Sequence, residues 1–231
     1  MKIKKKNFLS VVLATVLLSV SLQPVASAQQ NVMSDPRLNE ISQKYDTEFV
    51  VLSDSELEEV KQNGPLLSFT DLDEYESFLA DTISELEKFD TDQNSVLEVP
   101  EKTDSTISPM AQTSTTLSWW APFSGGLSGI FTWKNIALVY NYENNSNGLP
   151  YFTGVSKINS YISGMQVAVS WTQTTGTKTY SNTCWDKDTA NFVVQGYYLI
   201  GAEINGLPIG AKINDTWNRS LQLEKPGRGC F

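Results

Sequence analysis

Residues 111–231 hold six carboxylates: Glu143, Asp186, Asp188, Glu203, Asp215 and Glu224. Two carboxyls about 5–9 Å apart can hydrolyse a glycosidic bond, one as acid and one as base or nucleophile. Glu203 is the sharpest candidate for that chemistry, because it interrupts an apolar strand between Ala202 and Ile204. The plainer alternative is a charge on the solvent face of a half-buried strand, which the alternation permits. The chain contains no histidine. That excludes Ser-His and Cys-His nucleophile pairs, His-bearing zinc sites and imidazole acid–base steps. Asp186-Lys187-Asp188 resembles the start of an oxygen-ligand calcium loop but lacks the Gly and later Glu of an EF-hand. A polar turn after Trp185 is the simpler expectation, with a non-EF calcium site using Asp186 and Asp188 as the alternative, and neither a metal nor a cofactor is expected.

The six tryptophans, Trp119, Trp120, Trp133, Trp171, Trp185 and Trp217, are the most informative residues. Flat exposed aromatics beside amides suit the apolar faces of sugar rings, while buried ones fill a core. Trp171 alternates as core. Trp119 and Trp120 are adjacent, so on a strand they point to opposite faces and one should be exposed. The loop Tyr140-Asn141-Tyr142-Glu143-Asn144-Asn145 is aromatic and amide-rich. Trp119, Trp120, Tyr142 and Asn144 are therefore the expected ligand-binding residues.

Cys184 and Cys230 are the only cysteines. Outside the cell an even count favours a disulfide, here pinning the C-terminal Gly-Arg-Gly-Cys-Phe segment. A reactive thiol is the alternative, but there is no imidazole to activate it.

The elements that must position these groups follow from periodicity. From Thr113 onward apolar residues recur every second position. Met165, Val167, Val169 and Trp171 form one row; Phe192, Val194, Tyr198, Ile200 and Ile204 form another; Ile209, Ala211 and Ile213 form a third. Val193, Tyr197 and Leu199 make the opposite face of the second row apolar too, which marks a central strand. Ile130 to Tyr140 and Tyr151 to Ile162 are further candidates, with Leu117–Trp120 and Trp217–Leu223 at the ends. Turn signals separate them at Asn147-Gly148, Ser163-Gly164, Thr175-Gly176 and, most strongly, Asn205-Gly206. About seven short strands predict an antiparallel β-sandwich or jelly roll over 113–231, with a closed barrel as runner-up.

Charge divides the chain. Residues 29–110 hold 20 Asp/Glu against five Lys/Arg, a net of -15; residues 111–231 hold six against eight, a net of +2. The acidic part, 29–92, reads as a small helical segment. Asp35-Pro36 opens one helix. Glu48–Leu52 is extended. Ser53 and Glu56 have capping-box spacing before a helix that Gly64-Pro65 stops. Thr70–Asp73 caps a third, along which Leu72, Tyr75, Leu79, Ile83 and Leu86 form one stripe. Residues 93–112, which carry Thr, Ser, Gln and Asn with Pro100 and Pro109, read as a linker.

Residues 1–28 carry Lys2, Lys4, Lys5 and Lys6, a short apolar run and Ala26-Ser27-Ala28, the pattern of a secretory signal peptide cleaved after Ala28. It resembles the leaders of exported Gram-positive proteins. A secreted protein with no transmembrane anchor is expected. Acidity argues against nucleic acid as partner. The functional expectation is a non-catalytic extracellular module binding glycan or a cell-surface ligand. The second reading is a precursor whose acidic piece restrains a membrane-active or antibacterial β protein, through the uncharged Ala121–Phe131 stretch. A carboxylate-based glycan hydrolase using Glu203 is the third.

Overall fold

A computed structural model of the chain describes residues 35–62, 64–89, 95–98, 111–121, 132–164 and 166–224, with backbone alone for 87–89, 95–98, 111 and 120–121. The leader and Cys230 fall outside the described residues. The fold is mainly β, as the period-two pattern requires.

Three helices and three short strands come first: α1 (Pro36–Tyr45), β1 (Thr47–Val51), α2 (Asp54–Gln62), β2 (Leu67–Phe69), α3 (Leu72–Phe89) and β3 (Ser95–Glu98). Their starts are chemically encoded. Asp35 caps α1 by accepting from the Arg37 N–H at 2.9 Å. Ser53 and Glu56 close the capping box: the Ser53 N–H donates to Glu56 Oε2 at 3.0 Å, and the Glu56 N–H donates to Ser53 Oγ at 3.3 Å. The Ser53 hydroxyl, donating to Glu56 Oε2 at 2.6 Å, and then the Ser53 N–H hold the Glu56 carboxyl below the usual range. Asp71 Oδ1 accepts from the N–H groups of Asp73 and Glu74, both at 3.0 Å, at the start of α3.

Six long strands follow: β4 (Ala111–Ala121), β5 (Thr132–Asn144), β6 (Pro150–Gly164), β7 (Val169–Ser181), β8 (Thr189–Ile204) and β9 (Leu207–Glu224). They form two curled sheets. One has three antiparallel strands in the order β4-β5-β6. The other is built on the β8–β9 hairpin, whose turn residues Asn205 and Gly206 have φ of 52° and 79°, the left-handed pair that a two-residue hairpin needs. On the far side of β9 lie β1, antiparallel, and β3, parallel. On the far side of β8 lie β7, antiparallel, and β2, parallel. The sheet is therefore mixed, and strand β3 lies within the stretch 93–112 read as linker.

Two local expectations are revised. The turn expected at Thr175-Gly176 is a bulge instead: β7 runs through it with a register shift between Gln173 and Thr175. Gln173 there turns inward, and its Oε1 accepts from the Ser160 N–H at 2.6 Å. Of the row expected from Met165 to Trp171, Met165 lies outside the described residues, Ala168 adopts φ 54°, and β7 begins at Val169.

The acidic segment is stitched onto the larger sheet through both of its faces. Ile41, Tyr75 and Leu79 share one buried core with Trp119, Leu138, Phe192, Ile200 and Trp217. On the opposite face Leu52, Val60, Ala168 and Leu199 form a second, smaller core. Gly201 and Gly210 lie opposite one another on β8 and β9. A Cβ at Gly201 would fall 2.5 Å from a methyl of Val60, and one at Gly210 2.6 Å from a methyl of Leu52. The paired glycines thus make a dimple that receives Leu52 and Val60. No helix among the described residues is long and apolar enough to cross a membrane.

Candidate functional site

Strand parity places the three-stranded sheet's side chains. The even positions of β5, Lys134, Ile136, Leu138 and Tyr140, are buried toward the shared core. The odd positions face away from it. On this outward face Trp133 is 43% exposed and Tyr161, on β6, is 41% exposed. Trp133 lies opposite Ser163 and Tyr161 lies opposite Asn135. The two aromatics are thus diagonal neighbours on one pleated face, about 7–8 Å apart at Cα.

Between them Asn135 is only 4% exposed, and both ends of its amide are used. Its Oδ1 accepts from Ser118 Oγ at 2.7 Å. Its Nδ2 donates to Ser163 Oγ at 2.9 Å, to the Trp133 carbonyl at 3.0 Å and to the Tyr161 carbonyl at 3.3 Å. One buried amide therefore ties the three strands together under the aromatic pair. A network satisfied in this way fixes backbone geometry. Ser118, Ser163 and the exposed Asn159 supply uncharged hydroxyl and amide groups around the rings. A rigid, neutral face with two exposed aromatics and polar neighbours can stack an apolar ring face and hydrogen-bond at its rim.

The inward side of the same strands is an aromatic column enclosing charges. Trp171 stacks on Trp217 at 4.1 Å between centroids and 14° between planes. Trp119 meets Trp217 edge-on at 5.4 Å. The Trp171 indole N–H donates to Ser160 Oγ at 2.8 Å. Lys134, 3% exposed, places Nζ 2.8 Å from Asp215 Oδ2 and 5.4 Å from the Trp217 ring centre. The Trp217 indole N–H donates to the same oxygen at 2.9 Å, while the Thr216 N–H donates to Oδ1 at 2.7 Å. Arg219 lies 3.9 Å over the face of Trp119.

The expected site residues are not brought together. Trp119 is 7% exposed and belongs to the column, where its ring offers no free face. Trp120 lies opposite Trp133 in the β4–β5 register, and its side chain is outside the description. Tyr142 is half-buried on the inward row, 6.3 Å from Tyr140. Asn144 is exposed where β5 ends, opposite Pro150, away from the Trp133 end of the strand. Glu203 is half-buried near the hairpin turn, and its lateral neighbours Ser68 and Pro208 are not carboxylates. Near Asn144, the Tyr151 hydroxyl donates to Glu143 Oε2 at 2.8 Å, and this bond raises the tyrosine pKa.

Asp188 is fully buried and organises the turn after β7. Its carboxylate accepts from the N–H groups of Thr183 and Cys184, each at 2.7 Å, and of Trp185 at 3.3 Å. Those oxygens are occupied by backbone donors, the polar-turn arrangement. Among the described residues no group of three or more acidic or cysteine side chains could hold a metal. No free cysteine occurs among the described residues, and Gln222 Nε2 lies 3.0 Å from Cys184 Sγ.

Trp133, Tyr161 and Asn135 were missed as site residues. The signal was their odd position in strands whose even positions carry the apolar row. No protein-family model, curated protein or solved structure matches this chain.

Proposed function

We propose that this protein is a non-catalytic extracellular binding module that takes a glycan ring on the Trp133–Tyr161 face. The observation that carries the reading is a pair of neighbouring aromatics, each more than two-fifths exposed, on the outward face of the three-stranded sheet. Exposed large apolar groups rimmed by polar ones mark interaction sites, and a lone protein surface rarely keeps them together otherwise. The site thus moves from Trp119, Tyr142 and Asn144 to Trp133 and Tyr161. Export by the 1–28 leader with cleavage after Ala28 belongs to this reading, as does a Cys184–Cys230 disulfide. The two sheets are read as an open sandwich, supported by their common core.

One feature weighs against the precursor reading. The acidic segment contributes β1 and β2 to the larger sheet and fills its glycine dimple, and β3 follows it onto the same sheet. Its removal would uncover both cores, which favours one folded unit over a detachable restraint.

The test is retention on insoluble bacterial cell-wall polysaccharide and on a printed glycan panel. The wild-type chain binds, and Trp133→Ala and Tyr161→Ala each weaken binding by about 1–2 kcal/mol, or roughly 5–30-fold. The exposed Thr153→Ala, on the same strand as Tyr161, binds as wild type. Equal binding by all four proteins would overturn the assignment.

A further inference from the structure

From the geometry we infer that Lys134 and Asp215 form an intramolecular amide cross-link between the two sheets. The two residues are 81 positions apart in sequence, one on β5 and the other on β9. Lys134 Nζ lies 2.8 Å from Asp215 Oδ2, one bond from the Cγ it would attack. Both lie on the inward rows of their strands, between Tyr198 and Trp217, which are 1% and 0% exposed.

Four features favour condensation over a plain ion pair. Burial of two opposite charges in an aromatic surround is costly, and a neutral amide in their place removes that cost. Contact at this distance supplies the proximity that makes intramolecular acyl transfer fast, with effective molarities of about 10⁵ M or more. Asp215 Oδ1 already receives the Thr216 N–H at 2.7 Å, a donor placed where oxyanion charge would develop. Asp215 Oδ2 receives the Trp217 indole N–H at 2.9 Å, which together with the Thr216 bond fixes the carboxyl group against Nζ.

The step balances without a co-reactant. A proton passes from the Lys134 ammonium to Asp215 Oδ2, giving a neutral amine and a neutral acid. The amine lone pair attacks Asp215 Cγ and forms the Nζ–Cγ bond, and charge collects on Oδ1 beside the Thr216 N–H. A second proton moves from Nζ to Oδ2, the Cγ–Oδ2 bond breaks, and one water leaves. No electron is gained or lost. The product is a secondary amide whose nitrogen is Lys134 Nζ, which lies 5.4 Å from the Trp217 ring centre before reaction. It staples the three-stranded sheet to the β8–β9 hairpin at the level of the tryptophan column. The inference does not rest on the glycan reading, because these residues lie on the opposite side of β5 from Trp133.

The test is mass spectrometry of the purified full chain, kept folded until its mass stops changing, then reduced, denatured and digested with trypsin. The expected result is a protein lighter by one water than its sequence. It should also give a linked species in which the peptide Ile213–Arg219 is joined to a peptide spanning an uncleaved Lys134. Lys134→Met and Asp215→Ala should each run at full sequence mass with no linked species. Recovery of free Ile213–Arg219 together with cleavage after Lys134 would overturn the inference. A water loss mapped to any other residue would overturn it equally.

Discussion

Gly196 on β8 lies directly beneath the tryptophan column, and adding one methyl there tests whether that column is as tightly fixed as its geometry implies. A Cβ at Gly196 would fall 2.3 Å from the Thr172 carbonyl oxygen and 2.6 Å from the six-membered ring of Trp171. Neither neighbour can retreat cheaply. Thr172 is held in the β7–β8 ladder, and Trp171 is stacked 4.1 Å from Trp217 and hydrogen-bonded to Ser160. Overpacking of a close-fitted core costs about 1–3 kcal/mol, and a backbone clash places Gly196→Ala at the upper end. For a chain of this size, a loss of about 3 kcal/mol lowers the melting temperature by about 6–12 °C. Two other glycines serve as controls. Gly206→Ala meets nothing within 4 Å but must hold φ near +79°, so it should lose only about 1 kcal/mol. Gly154→Ala has its nearest neighbour at 3.9 Å and no positive φ, so it should match wild type or gain a few tenths of a kcal/mol. Thermal unfolding followed by near-UV circular dichroism, which the tryptophans dominate, ranks the three. Gly196→Ala melting level with Gly154→Ala would refute the argument that the column is immobile.

Other perturbations follow from single side chains. The Tyr75 hydroxyl is buried among Phe49, Phe69 and Phe78 with no hydrogen-bond partner among the described residues, so Tyr75→Phe should stabilise by about 1 kcal/mol in urea unfolding. Burial also pushes the Tyr75 pKa far up, so the folded state keeps its proton where the unfolded state loses it. Stability is therefore full below about pH 10 and declines as pH rises past it, with a shallower decline in Tyr75→Phe. Asp188→Ala would strand the N–H groups of Thr183, Cys184 and Trp185 and should cost about 3 kcal/mol or more, read from the urea midpoint. Gly201→Ala forces a methyl against Val60, so amide exchange should accelerate selectively in α2 and β1; uniform exchange would argue against the dimple as an anchor.

Much of the fold is written locally. The capping box at Ser53 and Glu56, the aspartate before Pro36 and the Asn205-Gly206 turn all act through bonds within a few residues, and all are found where the sequence puts them. The central, doubly covered character of β8 is equally legible, because both parities of that strand are apolar. What local pattern does not carry is long-range pairing. Nothing in Leu67–Phe69 or Ser95–Glu98 announces a parallel partner more than a hundred residues away, and the fit of Leu52 and Val60 into Gly201 and Gly210 depends on a hairpin formed later in the chain. The aromatic site was half legible. Phase, once assigned, sends Trp133 outward with Asn135 and Tyr161 outward with Asn159. Adjacent Trp119 and Trp120 drew attention by composition, whereas the deciding property is which parity carries Ile136, Leu138 and Tyr140. The Lys134–Asp215 contact was illegible, since a lysine in an apolar row has no visible partner until two sheets are brought face to face.

The proposed binding face is tested most directly by oxidative footprinting of tryptophan and tyrosine side chains, with the protein free and then mixed with insoluble cell-wall polysaccharide. Trp133 and Tyr161 should be oxidised readily in the free protein and strongly protected in the bound one, while Tyr142 changes little. Protection that leaves Trp133 and Tyr161 as reactive as before, or that falls on another face, would contradict the proposed site.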